Sequence, residues 1–372
     1  MSFSCGIVGL PNVGKSTLFN ALTNSQVEAK NYPFCTIEPN RATVSVFNEK
    51  VAKLAQLSKS KKTLFSTIEF VDIAGLVKGA SKGEGLGNQF IGNISEVDAI
   101  VEVVRLFTNE NVVRDGAIDP LKDIEIIHNE LIFYDYALVE KHLARLAKEV
   151  KHAQTNERKI LSQEIQILER AKKILLKEDL LNNNLFPKEI EVIKKYGLIT
   201  AKPFLIVANI DEAILSTFSK MQSYKDLKKF CDENKTKLIE LSSIAELELS
   251  DINVSLDQSS MQEYLDIFKI KEPGCGRLIK ESYDLLNLIS FITTGEKETR
   301  AWTIKKNTTA PVAAGKIHSD LQKGFICVEV VDAETFIQLK SWRECKAKGK
   351  VRSEGKEYVI ANNDVCLFRF NL

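Results

Sequence analysis

The sequence Gly9-Leu10-Pro11-Asn12-Val13-Gly14-Lys15-Ser16-Thr17 decides the fold of this 372-residue chain. It matches the pattern G-x-x-x-x-G-K-[ST], in which glycines let successive backbone N–H groups face one phosphate anion. The lysine can reach the β- and γ-phosphates, and the hydroxyl that follows it can bind Mg²⁺. An apolar segment precedes the loop and a helical pattern follows it, so we predict a strand, a phosphate loop and a helix whose N-terminus faces the phosphates.

The overall composition is that of an ordinary soluble protein, with 44% hydrophobic and 27% charged residues. The length predicts two or three domains, and the net charge of +1 argues neither for nor against nucleic acid. No apolar run reaches about 18 residues, and Met1–Cys5 enters the first strand directly, so we expect no membrane span and no signal peptide. The scattered cysteines and histidines predict reduced thiols, a cytoplasmic location and no structural metal.

Two later sequences are predicted to complete a magnesium and γ-phosphate site. Thr36 lies in the proline-containing loop Asn31–Pro39, where its hydroxyl would bind Mg²⁺ and its N–H would meet a γ-oxygen. An apolar strand, Ile68–Asp72, ends in an acid and continues as D-x-x-G, whose glycine N–H would contact the γ-phosphate. We therefore predict Ser16, Thr36 and Asp72 as metal ligands, and Lys15, Thr36 and Gly75 as catalytic residues.

The segment after this motif is rich in glycine. Gly75–Gly92 holds six glycines, which is typical of a switch that a nucleotide orders, although a flexible linker would have the same composition. Leu76 follows Gly75, where many hydrolytic relatives have a glutamine that orients the attacking water. Hydrolysis is therefore expected to be slow, or another group must orient the water.

A second motif predicts the base that is bound. Asn209-Ile210-Asp211-Glu212 follows the apolar strand Lys202–Asn209, where GTP-specific proteins have N-K-x-D. Ile210 and Glu212 replace the lysine and the aspartate, so the aspartate that recognises guanine is missing. Asn209 can still contact purine N7 and the adenine amino group. The alternative is that Asn209 and Glu212 only cap a helix. The residues predicted to bind nucleotide are Asn12, Val13, Gly14, Lys15, Ser16, Thr17, Asn209, Ile210, Glu212, Ser242 and Ser243.

The rest of the chain predicts an inserted helical hairpin and a C-terminal β-rich module. Apolar residues from Asp119 to about Ile199 step by three and four, which indicates two antiparallel helices. Pro273–Gly276 is predicted to be a linker. The sequence of the tail that follows predicts several strands, including Glu357–Ile360, and one helix at Ala310–Leu321. Lys340–Arg352 has six basic residues around Trp342, which suits RNA binding and equally suits a charged edge strand.

Together, the phosphate loop, Asn31–Asn40, Phe70–Gly92 and Asn209–Glu212 resemble the YchF, or Obg-like ATPase, family. The tail resembles that family's TGS domain, from Thr299-Arg300-Ala301-Trp302-Thr303-Ile304 to Leu367-Phe368-Arg369-Phe370. The resemblance implies an α/β P-loop NTPase (G-domain) fold with an inserted helical coiled-coil hairpin and a C-terminal β-grasp (TGS) domain. The implied domains are 1–119 with 200–276 for nucleotide binding, 120–199 for the hairpin and 287–370 for TGS.

The same resemblance implies ATP binding in preference to GTP, Mg²⁺ as cofactor, association with the ribosome or ribosomal RNA, and a link to stress responses. One departure concerns Asn109–Gly116, where the family usually has a histidine that aids hydrolysis and this chain has Arg114 nearest. We predict a cytoplasmic, slowly hydrolysing ATPase with no membrane association and no DNA specificity. The alternatives are a GTPase of ribosome assembly and a non-hydrolytic module gated by ATP.

Overall fold

The computed structural model describes residues 3–24, 40–73, 75, 86–107, 118–215, 217–254 and 272–371. These residues form two sheets with helices packed on their faces. In chain order the strands are β1 (Ser4–Val8), β2 (Arg41–Val46), β3 (Thr63–Leu64), β4 (Ser66–Asp72), β5 (Ala99–Leu106), β6 (Phe204–Ile210), β7 (Lys237–Leu241), β8 (Leu288–Thr294), β9 (Thr299–Lys305), β10 (Phe325–Asp332), β11 (Arg352–Glu354) and β12 (Asp364–Phe370).

The α-helices among these residues are numbered in the same way. They are α1 (Lys15–Asn24), α2 (Glu49–Leu57), α3 (Leu86–Glu96), α4 (Pro120–His152), α5 (Thr155–Leu175), α6 (Leu181–Asn184), α7 (Pro187–Ile193), α8 (Gln222–Glu233), α9 (Ser243–Val254), α10 (Gly274–Leu285), α11 (Ala310–Ile317), α12 (Ser319–Lys323), α13 (Ala333–Leu339) and α14 (Trp342–Ala347). None of these helices is both long enough and apolar enough to cross a membrane.

The first sheet has the strand order β2-β4-β1-β5-β6-β7. All neighbouring strands are parallel except β2, which is antiparallel to β4. Every residue of β1, β5 and β6 is buried, as expected for central strands covered by helices on both faces. Helices α1 and α10 pack on one face, and α3 and α4 on the other. The carboxyl ends of the parallel strands form one edge, where open α/β sheets bind ligands.

The predicted helical hairpin consists of α4 and α5, which are joined through Ala153 and Gln154. Asp119 accepts a hydrogen bond from the N–H of Lys122 and so caps the start of α4. The two helices and the segment that follows share an apolar core of their own, which includes Val139, Leu146, Leu168, Ala171 and Leu175. The hairpin therefore has its own packed interior, and its base returns to β6.

The second sheet has the order β11-β10-β12-β8-β9-β3, so a strand from the N-terminal part of the chain completes the C-terminal sheet. Thr63 and Leu64 pair in parallel with Thr299 and Arg300 of β9. Helix α2 packs into the same layer, because Val51 and Leu54 share an apolar cluster with residues of α13 and β12. This pairing was not predicted from the sequence.

Three local predictions for the tail region are wrong. Pro273–Gly276 is not a linker, because α10 starts at Gly274, where a Cβ would lie 2.5 Å from that of Leu241. Glu357–Ile360 forms only an isolated bridge between Val359 and Thr309. The helix predicted for Ala310–Leu321 breaks at His318, whose φ of −160° is extended.

Candidate nucleotide-binding site

The predicted phosphate loop joins the end of β1 to the start of α1. Asn12 has a φ of 62° and Gly14 a φ of 96°, both in the region that favours a sharp turn. A Cβ atom on Gly14 would lie 2.2 Å from Nδ2 of Asn209, so only glycine fits at this position. The strand–loop–helix arrangement predicted from the sequence is thus confirmed, and the loop lies at the ligand edge of the sheet.

Lys15 is buried inside this loop, with 8% of the residue exposed. Its ammonium donates a hydrogen bond of 2.7 Å to the carbonyl oxygen of Leu10. Burial lowers the pKa of Lys15 to about 8, while the charge of Asp72 acts in the opposite direction. A Cβ atom on Gly75 would lie 3.1 Å from Nζ of Lys15, so the structure brings these two predicted catalytic residues together.

Ser16 and Asp72 also meet, although 56 residues separate them in the chain. The Ser16 hydroxyl donates a hydrogen bond of 3.0 Å to Oδ2 of Asp72. Partial burial raises the pKa of Asp72 above its ordinary value, and the Ser16 hydrogen bond and the Lys15 charge oppose that rise. A hydroxyl and a carboxylate therefore share one point beside the lysine, at the carboxyl end of β4.

Asn209 connects the phosphate loop to the loop after β7. It is 4% exposed, and its Nδ2 donates to the carbonyl oxygen of Val13 at 2.9 Å. Its Oδ1 accepts a hydrogen bond from the N–H of Ser243, also at 2.9 Å. Ser242 lies beside this contact, and its hydroxyl accepts from the N–H of Ala245 at the start of α9. The amide of Asn209 thus bridges two loops that were predicted to contact different parts of the nucleotide.

The other residues of the second motif take different positions. Ile210 is 1% exposed, and its side chain packs in the core with Leu106 and Ile124. Any contact between Ile210 and a nucleotide base would therefore involve its backbone atoms. Glu212 is partly exposed at the start of a short 3-10 turn. In the phosphate loop and α1, Asn12 and Ser16 are exposed and Thr17 is partly exposed.

Comparison with known proteins places this site in a family. A model described as a 50S ribosome-binding GTPase matches residues 4–139, and the model of the YchF-GTPase C-terminal region, described as a protein of unknown function, matches residues 288–371. The chain is 47% identical to "Ribosome-binding ATPase YchF" of Mycoplasma genitalium, with 99% of each chain covered. It is 42% identical to the protein of the same name in Bacillus subtilis, with both chains covered completely.

A solved structure agrees with these sequence matches. The YchF GTPase of Schizosaccharomyces pombe superposes with a TM-score of 0.88 at 36% identity, covering 99% of this chain and 98% of that one. The chain belongs to the YchF family. The resemblance and the P-loop G-domain fold predicted from the sequence are therefore confirmed.

Several predictions for this YchF chain fall outside the described residues. They concern Thr36, Leu76, most of Gly75–Gly92 and all of Asn109–Gly116 with Arg114. The structure therefore reports on two of the three predicted metal ligands, Ser16 and Asp72, and on Lys15 and Gly75 among the predicted catalytic residues.

Arg105 is a residue of the site edge that the sequence analysis missed. It lies near the end of β5 in register with Asn209, and it is 4% exposed. Its Nε donates to the carbonyl oxygen of Phe107, and its guanidinium lies 4.5 Å from the centre of the Phe107 ring. The available signal was an arginine near the end of a strand whose other residues, apart from Glu102, are apolar. It places a buried positive charge at the edge of the sheet where open α/β sheets bind ligands.

Proposed function

We propose that this YchF chain binds ATP with Mg²⁺, hydrolyses it slowly, and acts as a switch that associates with the ribosome. The observation that carries the proposal is the 3.0 Å contact between the Ser16 hydroxyl and the Asp72 carboxylate, next to the buried Lys15 ammonium. Relatives named "Ribosome-binding ATPase YchF" match this chain over nearly its whole length and support the same function.

The residues at this contact fit Mg²⁺, because hydroxyl and carboxylate oxygens are the ligands that this ion takes in proteins. Ser16 and Asp72 would hold the ion, with Thr36 as the third proposed ligand. When bound, Mg²⁺ neutralises charge on the β- and γ-phosphates. Lys15 would exchange its hydrogen bond to Leu10 for one to a phosphate oxygen, while the loop N–H groups and the N-terminus of α1 hold the remaining oxygens.

The proposed preference for ATP over GTP rests on Asn209-Ile210-Asp211-Glu212. Glu212 is one methylene longer than the aspartate of N-K-x-D and cannot align in the same way with the guanine N1–H and N2 amino groups. The structure adds that Asn209 already uses its amide to join Val13 to Ser243. In our proposal its main contribution is therefore to fix the shape of the pocket, and its remaining N–H and lone pair contact the base.

Slow turnover is proposed because Leu76 cannot orient an attacking water as a glutamine would. The same feature keeps open the alternative of an ATP-gated binding module in which turnover is incidental. A GTPase of ribosome assembly is the second candidate, since the matching nucleotide-domain model and the fission yeast relative both carry GTPase in their names.

The proposed partner is the ribosome, through ribosomal RNA or protein, in translation and stress regulation in the cytoplasm. We propose the domain limits given by the resemblance: 1–119 with 200–276, 120–199, and 287–370 as the TGS domain. Lys340, Arg343, Lys348 and Lys350 are exposed, which supports an RNA contact. Trp342 does not add a stacking platform, because its ring packs on Phe336 with 5.4 Å between centroids.

Three measurements test this proposal. Dissociation constants for ATP and GTP at fixed Mg²⁺ should favour ATP, and equal or tighter GTP binding would promote the GTPase alternative. Single-turnover hydrolysis of ATP with and without ribosomes separates the enzyme from the binding module. If ribosomes bind the ATP form yet leave an undetectable rate unchanged, the binding module is correct. If the chain co-sediments with ribosomes equally in the presence and absence of nucleotide, the switch is refuted.

A further inference from the structure

The turn at residues 199–202 connects the base of the helical hairpin to β6, and its two ends are bound to different elements. Lys202 extends its ammonium to the end of α3, where it donates to the carbonyl oxygens of Ile94 at 2.9 Å, Ser95 at 2.6 Å and Val97 at 2.6 Å. The last carbonyls of a helix have no partner within the helix and carry partial negative charge. Lys202 therefore binds the C-terminus of α3 with all three of its N–H donors.

Asp135 of α4 binds the other end of the same turn. It is 0% exposed, and its carboxylate accepts hydrogen bonds from the N–H of Ile199 at 3.0 Å and from the N–H and hydroxyl of Thr200 at 2.7 and 2.6 Å. Burial raises the pKa of Asp135 to about 6 and lowers the pKa of Lys202 to about 8, so both groups are charged at neutral pH. A buried charge is tolerated when several hydrogen bonds satisfy it, which makes both contacts specific in geometry.

Helix α3 packs against residues that border the nucleotide site. One border of that site is Gly75, where a Cβ atom would lie 3.1 Å from Nζ of Lys15. Ile94 and Val97 pack in one apolar cluster with Val8, at the start of the phosphate loop, and with Ile73. A displacement of the end of α3 would therefore change the packing of Val8, which precedes the phosphate loop, and of Ile73, which follows Asp72.

We propose that Asp135 and Lys202 are positioning residues that couple the α4–α5 hairpin to α3, and through α3 to the Gly75 side of the nucleotide site. The route is Asp135, the turn at 199–202, Lys202 and the end of α3, which are joined by the hydrogen bonds given above. The proposal deepens the proposed function and rests on it, because it names the means by which a partner on the hairpin and a nucleotide in the site affect each other. The coupling must act in both directions.

The test compares full-length variants by amide hydrogen exchange. Lys202→Met removes the donors and keeps an unbranched side chain that is one atom shorter, while Lys202→Arg keeps the charge. The matched control is Arg170→Met, because Arg170 also makes three hydrogen bonds, to both Glu189 oxygens and to the carbonyl of Asn184, all within the hairpin region.

Without nucleotide, Lys202→Met should speed exchange about tenfold in the last turn of α3 and around Asp135, a size that fits the loss of hydrogen bonds from a charged donor. Arg170→Met should speed exchange in the hairpin region alone, and Lys202→Arg should restore much of the protection. If Lys202→Met affects α3 but not the surroundings of Asp135, the coupling is refuted. This arm needs no nucleotide, so it stands even if the proposed ATP binding fails.

With a saturating non-hydrolysable ATP analogue and Mg²⁺, the wild type and Arg170→Met should show altered exchange in α4 near Asp135. Lys202→Met should bind the analogue within about threefold of the wild-type affinity, since Lys202 lies outside the site, yet lose that response. An unchanged response in Lys202→Met, or none in the nucleotide-bound wild type, would overturn the proposal. Failure of the wild type to bind the analogue would instead refute the proposed function.

Discussion

Replacing Asn209 with alanine should weaken nucleotide binding chiefly by releasing the phosphate loop. In the wild type the Asn209 amide joins the Val13 carbonyl to the Ser243 N–H, with 2.9 Å for each hydrogen bond. Val13 and Ser243 are each 1% exposed, so neither group gains water as a substitute when the side chain is removed. Alanine therefore leaves a buried acceptor and a buried donor unpaired.

The size of the effect follows from these two contacts. An unsatisfied buried polar group costs about 1–3 kcal/mol, so two groups that relax in part give a loss of about 2–4 kcal/mol. If binding must restore the loop geometry, the dissociation constant for ATP rises by about 30- to 700-fold, at roughly 1.4 kcal/mol per factor of ten. Asn209→Asp keeps the acceptor for Ser243 but places a buried carboxylate oxygen against the Val13 carbonyl, beside the proposed phosphate site, so it should weaken ATP binding at least as much as Asn209→Ala.

The assay measures dissociation constants for ATP and for inorganic tripolyphosphate on each variant. Loop positioning predicts that Asn209→Ala weakens both ligands by similar factors, because tripolyphosphate has no base to recognise. Asn234→Ala is the control: Asn234 donates to the Phe230 carbonyl at 2.9 Å at the end of α8, and its loss should leave both constants unchanged. If Asn209→Ala weakens ATP but not tripolyphosphate, Asn209 acts by reading the base and the positioning argument is refuted.

Three further predictions concern the site and the hairpin. Lys15→Ala should weaken ATP binding about 100-fold through loss of a charged hydrogen bond, and Ser16→Ala should mainly raise the Mg²⁺ concentration needed for binding. A magnesium titration of ATP affinity checks both variants, and unchanged ATP affinity in a folded Lys15→Ala variant would contradict the proposed site. The wild type should bind ATP about 10- to 100-fold more tightly than GTP, and Ile210→Lys with Glu212→Asp should shift the preference toward GTP in the same binding assay. Burial raises the pKa of Asp135 to about 6 in the folded protein, whereas the unfolded carboxyl releases its proton near pH 4, so the contribution of Asp135 to the free energy of unfolding is lost as the pH rises from about 4 to about 6. Melting temperatures should show this loss in the wild type and not in Asp135→Asn, and parallel pH profiles of the two proteins would contradict it.

The phosphate loop and the first sheet were predictable because their signals are local. Gly9–Thr17 has a fixed spacing that few backbones other than a strand–loop–helix satisfy. The buried strands β1, β5 and β6 appear in the sequence as short apolar runs, as central parallel strands do. The meeting of Ser16 with Asp72 followed from the rule that carboxyl ends of parallel strands share an edge.

The features that were missed depend on contacts between distant residues. The motif gives no sign that Lys15 is buried, whereas in the structure it is 8% exposed and its ammonium donates to the carbonyl oxygen of Leu10. Glu246 had no predicted role, yet its carboxylate accepts hydrogen bonds from the N–H groups of Gly274 and Cys275 and so caps α10. The glycines of that region read as a flexible linker because no local signal reveals a cap supplied by a carboxylate 28 residues earlier in the chain.

The same limit applies within residues 1–119, where no local signal shows that part of the segment packs with the C-terminal sheet. The chain between β2 and β4 leaves the first sheet and builds α2 and β3 into the second one. Hydroxyl contacts hold this segment there: Ser58 to Thr294 at 2.8 Å and Ser60 to Thr299 at 2.7 Å. At the start of β4, Ser66 contacts Ser290 at 2.8 Å.

The packing of α2 and β3 into the C-terminal layer has a consequence for the proposed switch. Strand β2 begins five residues after Thr36 in the chain, β4 ends in Asp72, and Arg41 pairs with Val71, so the two arms of the proposed magnesium site leave the same end of one antiparallel pair. Any shift of β2 along β4 must also move α2 and β3, which belong to the C-terminal layer. In our proposal, a nucleotide that brings Thr36 and Asp72 to one Mg²⁺ ion would therefore act on a segment whose opposite end is part of the C-terminal sheet, and a partner bound to that sheet would act on the same segment in return.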